Sequence, residues 1–131
     1  LKDLKSKTTT LSSFAGKPLI VNFYFEQTCD YAGALLSELN RDFRSRGLQV
    51  VGIALDHNDA AIEACKAKHA MGYPVLKGDE ATPMAWIGSN AGWAIFFVTA
   101  DGKIVKKIAN SINNGLEASV FRKYADYLVA R

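Results

Sequence analysis

The stretch Leu19-Ile20-Val21-Asn22-Phe23-Tyr24-Phe25 runs straight into Glu26-Gln27-Thr28-Cys29-Asp30-Tyr31-Ala32, and this junction decides the fold. Its first seven residues are almost continuously apolar and rich in branched and aromatic side chains, which predicts a central strand covered on both faces. The chain enters that strand from the turn Gly16-Lys17-Pro18. Beyond Thr28-Cys29 the pattern changes: Ala32, Leu35, Leu36, Leu39 and Phe43 recur at helical spacing and line one face of a helix running to about Arg46. Gly47 closes it as a C-cap. A cysteine therefore stands where a buried strand hands over to an amphipathic helix.

Working outward, Leu48 to Leu55 reads as a second buried strand. Asn58 caps a helix to about His69, with Ile62 and Cys65 on its inner face. Strand, helix, strand, helix implies parallel pairing. Tyr73-Pro74-Val75-Leu76 is a shorter strand, Thr82 to Ile87 a short helix opening with Pro83, and Ala94 to Val98 a strong strand. Asp101-Gly102 between Phe96-Phe97-Val98 and Lys103-Ile104-Val105 signals a tight antiparallel hairpin. A final helix, about Leu116 to Val129, is expected to turn Leu116, Val120, Tyr124 and Leu128 inward. The expected fold class is α/β: a central mixed β-sheet flanked by helices on both faces, in a single domain over residues 1–131.

The size agrees with one core, since 131 residues, 49% of them hydrophobic, are too few for two ordinary domains. Such a domain needs neither a disulfide framework nor a structural metal. With Cys29, Cys65, His57 and His69 as the only cysteines and histidines, no spacing resembles a zinc site. No metal or cofactor is expected. Apolar runs such as Ala94 to Val98 fall far short of the roughly 20 residues that span a bilayer, so no membrane contact by this domain is expected. Leu1-Lys2-Asp3-Leu4 carries no leader features, so a signal or anchor would have to lie outside the sequence. The net charge of +3 comes from 16 basic and 13 acidic residues without a dense basic run, which argues against nucleic acid as a partner.

Several stretches in succession resemble the TlpA/ResA branch of thiol-disulfide oxidoreductases, which have a thioredoxin-like fold. They are Gly16-Lys17-Pro18-Leu19-Ile20-Val21-Asn22-Phe23, Ser37-Glu38-Leu39-Asn40, Val50-Val51-Gly52-Ile53-Ala54-Leu55-Asp56, Tyr73-Pro74-Val75-Leu76 and Asp101-Gly102-Lys103-Ile104-Val105. The resemblance implies an extracytoplasmic compartment and protein thiols as partners. Three positions depart from it. The family's Cys-x-x-Cys appears as Cys29-Asp30-Tyr31-Ala32, its cis-proline position as Trp93 in Gly92-Trp93-Ala94, and the loop Glu26-Gln27-Thr28 is one residue longer and lacks the usual tryptophan. Other single-cysteine relatives of the fold each miss a required residue. Asn22 and Glu26 stand where peroxiredoxins need a proline and a hydroxyl residue. Gly33 stands where copper chaperones have their second cysteine, and the glutathione-holding proline of monothiol glutaredoxins is absent.

Without a second thiol in the motif, Cys29 is expected to act alone, forming mixed disulfides with partner thiols that an external thiol resolves. The helix N-terminus favours its thiolate, while Glu26 and Asp30 oppose it if they point inward. The alternative is a buried, inert thiol. Cys65 reads as core, and its place on a different helix makes a bridge to Cys29 improbable. His57 follows a strand at the same sheet edge as Cys29 and is either a cationic partner of the thiolate or a solvent-facing loop residue. His69 reads as a helix C-terminal dipole partner. A trans bond is expected before Trp93, whose ring either fills the substrate groove or packs against Met84 or Trp86. The rival function is a non-catalytic binding domain that uses a groove near Tyr31, Ala32, Gly92 and Trp93 for a protein or peptide partner.

Overall fold

Among the described residues six strands follow one another: β1 (Lys2–Asp3), β2 (Leu19–Tyr24), β3 (Gln49–Ala54), β4 (Val75–Lys77), β5 (Ala94–Val98) and β6 (Ile104–Ala109). They form one sheet in the order β1-β4-β3-β2-β5-β6. The structure is a computed structural model that describes residues 1–3, 8, 11–25, 28–56, 58–79, 81–88, 93–109 and 118–130. Strand β2 lies at the centre, parallel to β3 and antiparallel to β5. Strand β4 continues the parallel half, and the β5–β6 hairpin closes the other side across the Asp101-Gly102 turn.

The helices are α1 (Cys29–Phe43), prolonged by a 3₁₀ turn over Arg44–Arg46, α2 (Asp59–Lys68), α3 (Thr82–Ile87) and α4 (Ala118–Val129). Gly47 ends the first with a left-handed φ of 96°, the conformation that glycine adopts without a Cβ penalty. Helix α1 links β2 to β3 and α2 links β3 to β4. Both crossovers step the same way across the sheet, and right-handed crossovers that step the same way place their helices on the same face. This relation positions the site.

Strand alternation sorts the core into two layers. Ile20, Tyr24, Val50, Ala54, Ile95 and Phe97 face α1, α2 and α4, whose Ala32, Leu36, Leu39, Phe43, Ile62, Phe121, Ala125 and Leu128 cover them. Leu19, Val21, Phe23, Val51, Ile53, Phe96 and Val98 face a thinner layer that includes Phe14 and the half-buried Trp86 and Ile87. Helices thus lie on both faces, as the apolar runs required.

Two expectations need correction. In α4 the buried stripe is Phe121, Ala125 and Leu128, with Val120 and Tyr124 only half-buried. The helix is turned by Phe121, whose ring meets Phe97 at 5.6 Å, and by Arg122, which bonds Glu38 at 2.8 Å and also pairs with Asp42 on α1. Leu116 lies outside the described residues. Trp93 does not pack with Met84 or Trp86: it is buried in the layer of α1 and α2, whereas Trp86 stacks near Phe14 in the other layer and Met84 is exposed. Ile95, two residues after Trp93, shows why. Ile95 shares the Trp93 face by strand alternation, while Gly92 is outside the described residues.

Candidate functional site

Strand β2 delivers the chain to Phe25, and Thr28 anchors the entry to α1. The Thr28 hydroxyl donates to the Phe25 carbonyl at 3.0 Å and accepts from the Phe25 amide at 2.8 Å, while the Thr28 amide also donates to that carbonyl at 2.9 Å. Its hydroxyl is therefore committed to the loop and makes no cap bond to α1. Cys29 follows as the first residue of the helix, in the field of the first-turn N–H groups.

Helix α2 approaches from the side. The Asn58 side chain caps it by accepting from the Ala61 amide at 3.2 Å. Ile62 and Cys65 form its buried face. Cys65 and Cys29 are joined in a disulfide, with Cα atoms 6.5 Å apart. This overturns the expectation that a bridge is improbable and that Cys29 lacks an internal partner. Placement on different helices is no barrier when two successive right-handed crossovers lay those helices side by side, and 6.5 Å is within ordinary disulfide reach.

One turn beyond Cys65, His69 ends α2 as its C-cap. Residues four apart share a helix face, so the imidazole is carried to the disulfide: a ring nitrogen of His69 and both sulfurs lie within 4.8 Å of one another. Gly33, one turn into α1, makes the space. A β-carbon there would stand 2.8 Å from His69 Cδ2 and 2.9 Å from Met71 Cε. His69 occupies the helix end that the sequence assigned to it, but it also belongs to the sulfur cluster.

Beside the disulfide a small cleft is lined by Tyr24, Ala54, Asp56, Asn58 and Ile62 together with both cysteines. Burial, with the Asp56 carboxylate second, pushes the Tyr24 phenol up to about 12. Burial likewise raises Tyr73, reinforced by Tyr24. Both rings pack against Gly52, where a β-carbon would be 3.3 Å from Tyr24 and 3.4 Å from Tyr73. Of the two phenols only Tyr24 lines the cleft, and it stays neutral throughout the physiological range.

Of the other anticipated site residues, Glu26, His57 and Gly92 lie outside the described residues. Asp30 and Tyr31 continue the first turn of α1, with side chains outside the description. Ala32 and Trp93 are buried in the core, 1% and 5% exposed, so neither presents an open groove wall. No cis peptide occurs among the described residues, and the bond before Trp93 involves Gly92. The sequence reading missed the partnership of Cys65, the approach of His69 and the two tyrosines. The available signal was Cys65-Lys66-Ala67-Lys68-His69, a thiol and an imidazole one helical turn apart.

Residues 1–107 match the AhpC/TSA family. The chain belongs to that family. Among relatives, the thiol-disulfide oxidoreductase ResA of Bacillus thuringiensis subsp. konkukian is 22% identical over 108 residues, covering 81% of this chain and 62% of ResA. Chloroplastic peroxiredoxin Q of Suaeda salsa is 32% identical over 82 residues, covering 60% of this chain and 38% of its own length. The chain thus spans about 62% of the ResA relatives it matches. A secreted Mycobacterium tuberculosis disulfide oxidoreductase homologous to Escherichia coli DsbE superposes with a TM-score of 0.82 at 19% identity, covering 97% of this chain and 93% of that one. A thioredoxin-family thiol:disulfide interchange protein of Chlorobium tepidum gives 0.79 at 20% identity, covering 98% and 91%. These bear out the resemblance to ResA-type proteins and a thioredoxin-like, thiol-disulfide oxidoreductase-like fold. In this chain the cysteine at the strand-to-helix seam is joined to a second sulfur carried by α2. Among the described residues no helix is long and apolar enough to cross a membrane.

Proposed function

We propose that this AhpC/TSA domain is a thiol-disulfide exchanger of an extracytoplasmic compartment, in which Cys29 forms the mixed disulfide with protein thiols and Cys65 resolves it. The observation that carries the reading is the Cys29–Cys65 disulfide itself. In the reduced chain the Cys29 thiolate, favoured by the α1 N-terminus, attacks a partner disulfide. The Cys29–partner bond forms and one partner thiolate leaves. Cys65, as thiolate, then attacks the Cys29 sulfur, closes the internal disulfide and releases the second partner thiolate. Two electrons have passed to the partner. Run backwards, the same steps oxidise a partner dithiol, and the direction is set by the two reduction potentials. The resolving role thus moves from the residue at position 32, here alanine, to a helix that the fold places alongside.

The test is reaction of the reduced chain with dithiobis-nitrobenzoate in the presence of a chelator. The wild-type chain is expected to release thionitrobenzoate twice, once on attack and once on resolution, and to end as the internal disulfide. Cys65→Ser should stop at a stable mixed disulfide on Cys29, and Cys29→Ser should react slowly. A wild-type chain that also stops at the mixed disulfide would restore the single-cysteine mechanism. A folded wild-type chain in which neither thiol reacts would support the non-catalytic binding domain.

A further inference from the structure

The sulfur cluster holds more than a redox pair. Cys29 Sγ, Cys65 Sγ and a ring nitrogen of His69 lie within 4.8 Å of one another, two of the three donors from one face of α2 and the third from the start of α1. The imidazole is held against the α1 backbone at Gly33 and beside Met71 Cε. We propose that the reduced chain binds one thiophilic d¹⁰ cation, Zn(II) or Cu(I), through Cys29, Cys65 and His69, and that disulfide formation expels it.

Two thiolates and an imidazole form a soft donor set that suits these ions, and the apolar surroundings supplied by Ala32, Ala54 and Ile62 disfavour hard cations that retain their water. Sulfurs sharing a tetrahedral zinc stand about 3.8 Å apart at the usual bond length of roughly 2.3 Å. Non-bonded sulfurs on residues whose Cα atoms are 6.5 Å apart reach that spacing by side-chain rotation alone. Zn(II) would keep a fourth position open at the cleft, whereas Cu(I) is satisfied by three donors. Occupancy follows redox state. An external dithiol delivers two electrons and two protons to the disulfide and leaves as its own disulfide. The cation then displaces the two thiol protons. Oxidation by a partner disulfide returns the electrons to that partner and frees the ion, because bonded sulfurs no longer offer thiolate lone pairs. Sequence spacing hides this site, since Cys29 is 36 residues from Cys65.

The inference rests on the cluster and not on turnover, so it and the exchange reaction are separable. The full chain, reduced with a phosphine and desalted without oxygen, is titrated with Co(II) as a spectroscopic substitute for Zn(II), and separately with Cu(I) against a coloured Cu(I) chelator. Expected are one ion per chain, with thiolate-to-Co(II) charge transfer and tetrahedral d–d bands that Zn(II) bleaches, or Cu(I) retained against the chelator. Either arm supports the site and identifies its ion, and the oxidised chain should bind neither. His69→Ala should weaken binding at least about tenfold, the least expected when a metal site loses a supporting group. His69→Gln, which keeps the bulk that fills the Gly33 contact, should do the same while still re-forming the disulfide. Failure of the reduced chain to hold either ion, equal binding by the oxidised chain, or full affinity in both His69 variants would each overturn the proposal.

Discussion

His69 and Gly33 are fitted to each other: the imidazole at the end of α2 fills the space that the missing side chain leaves one turn into α1, with a Cβ at position 33 falling 2.8 and 2.9 Å from Cδ2 and Cγ of the ring. Gly33→Ala therefore sets two effects in opposition. Alanine gains about 1 kcal/mol of helix propensity over glycine, whereas an extra methyl forced into packed surroundings costs about 1–3 kcal/mol. Because Cγ, the ring's attachment atom, is among the atoms met, relief needs a χ1 change that moves the whole imidazole. Net destabilisation of about 1 kcal/mol is expected by denaturant unfolding. In a His69→Ala background the remaining neighbour is the flexible end of Met71, and the same substitution should become neutral or stabilising. An unchanged sign in that background would show that the ring is not what the methyl meets.

The disulfide should dominate the redox dependence of stability. Closing a loop across 36 residues removes about 4 kcal/mol of unfolded-chain entropy. Reduction should lower the melting temperature by on the order of 10 °C, and Cys29→Ser/Cys65→Ser should match the reduced wild-type chain and ignore reductant. Thermal scans with and without phosphine make the comparison.

Tyr24 and Tyr73 set the alkaline limit. Each titrates higher in the folded chain than the ordinary 10.0, Tyr24 at about 12, chiefly because burial disfavours the phenolate. The stability they contribute is complete below the unfolded value near 10.0. It is lost as pH rises through the folded values. Spectrophotometric titration should show two of the five tyrosines ionising late and together with unfolding. Tyr24→Phe and Tyr73→Phe should each move the alkaline unfolding midpoint upward.

Trp93 and Trp86 lie in different layers and should differ in energetic weight. Trp93 is 5% exposed in the layer of the disulfide, so Trp93→Ala should cost about 3–5 kcal/mol. Trp86, half-buried beside Phe14, should cost about 1–2 kcal/mol. Equal costs in urea unfolding would contradict the assignment of Trp93 to the core.

The local periodicities carried most of the fold. Apolar continuity marked β2, β3 and β5, helical spacing marked α1 and α2, Pro83 marked the start of α3, and Asp101-Gly102 marked the hairpin, because each is a statement about neighbours in sequence. The stripe on α4 was legible as a helix face but not in its rotation. Phe97 and the Arg122 pairing with Glu38 and Asp42, all distant in sequence, decide which side turns inward.

The sequence by itself determined that a cysteine stands at the junction of a central strand and the following helix, within a thioredoxin-like α/β domain. Only the tertiary structure decided what that cysteine meets. The missing second thiol of the Cys29-Asp30-Tyr31-Ala32 motif made Cys29 look solitary, since a motif records partners three residues away and not those brought by a later helix. Crossover handedness and strand order place α2 beside α1. The one-turn spacing from Cys65 to His69 and the absent side chain at Gly33 then gather two sulfurs and an imidazole at one point.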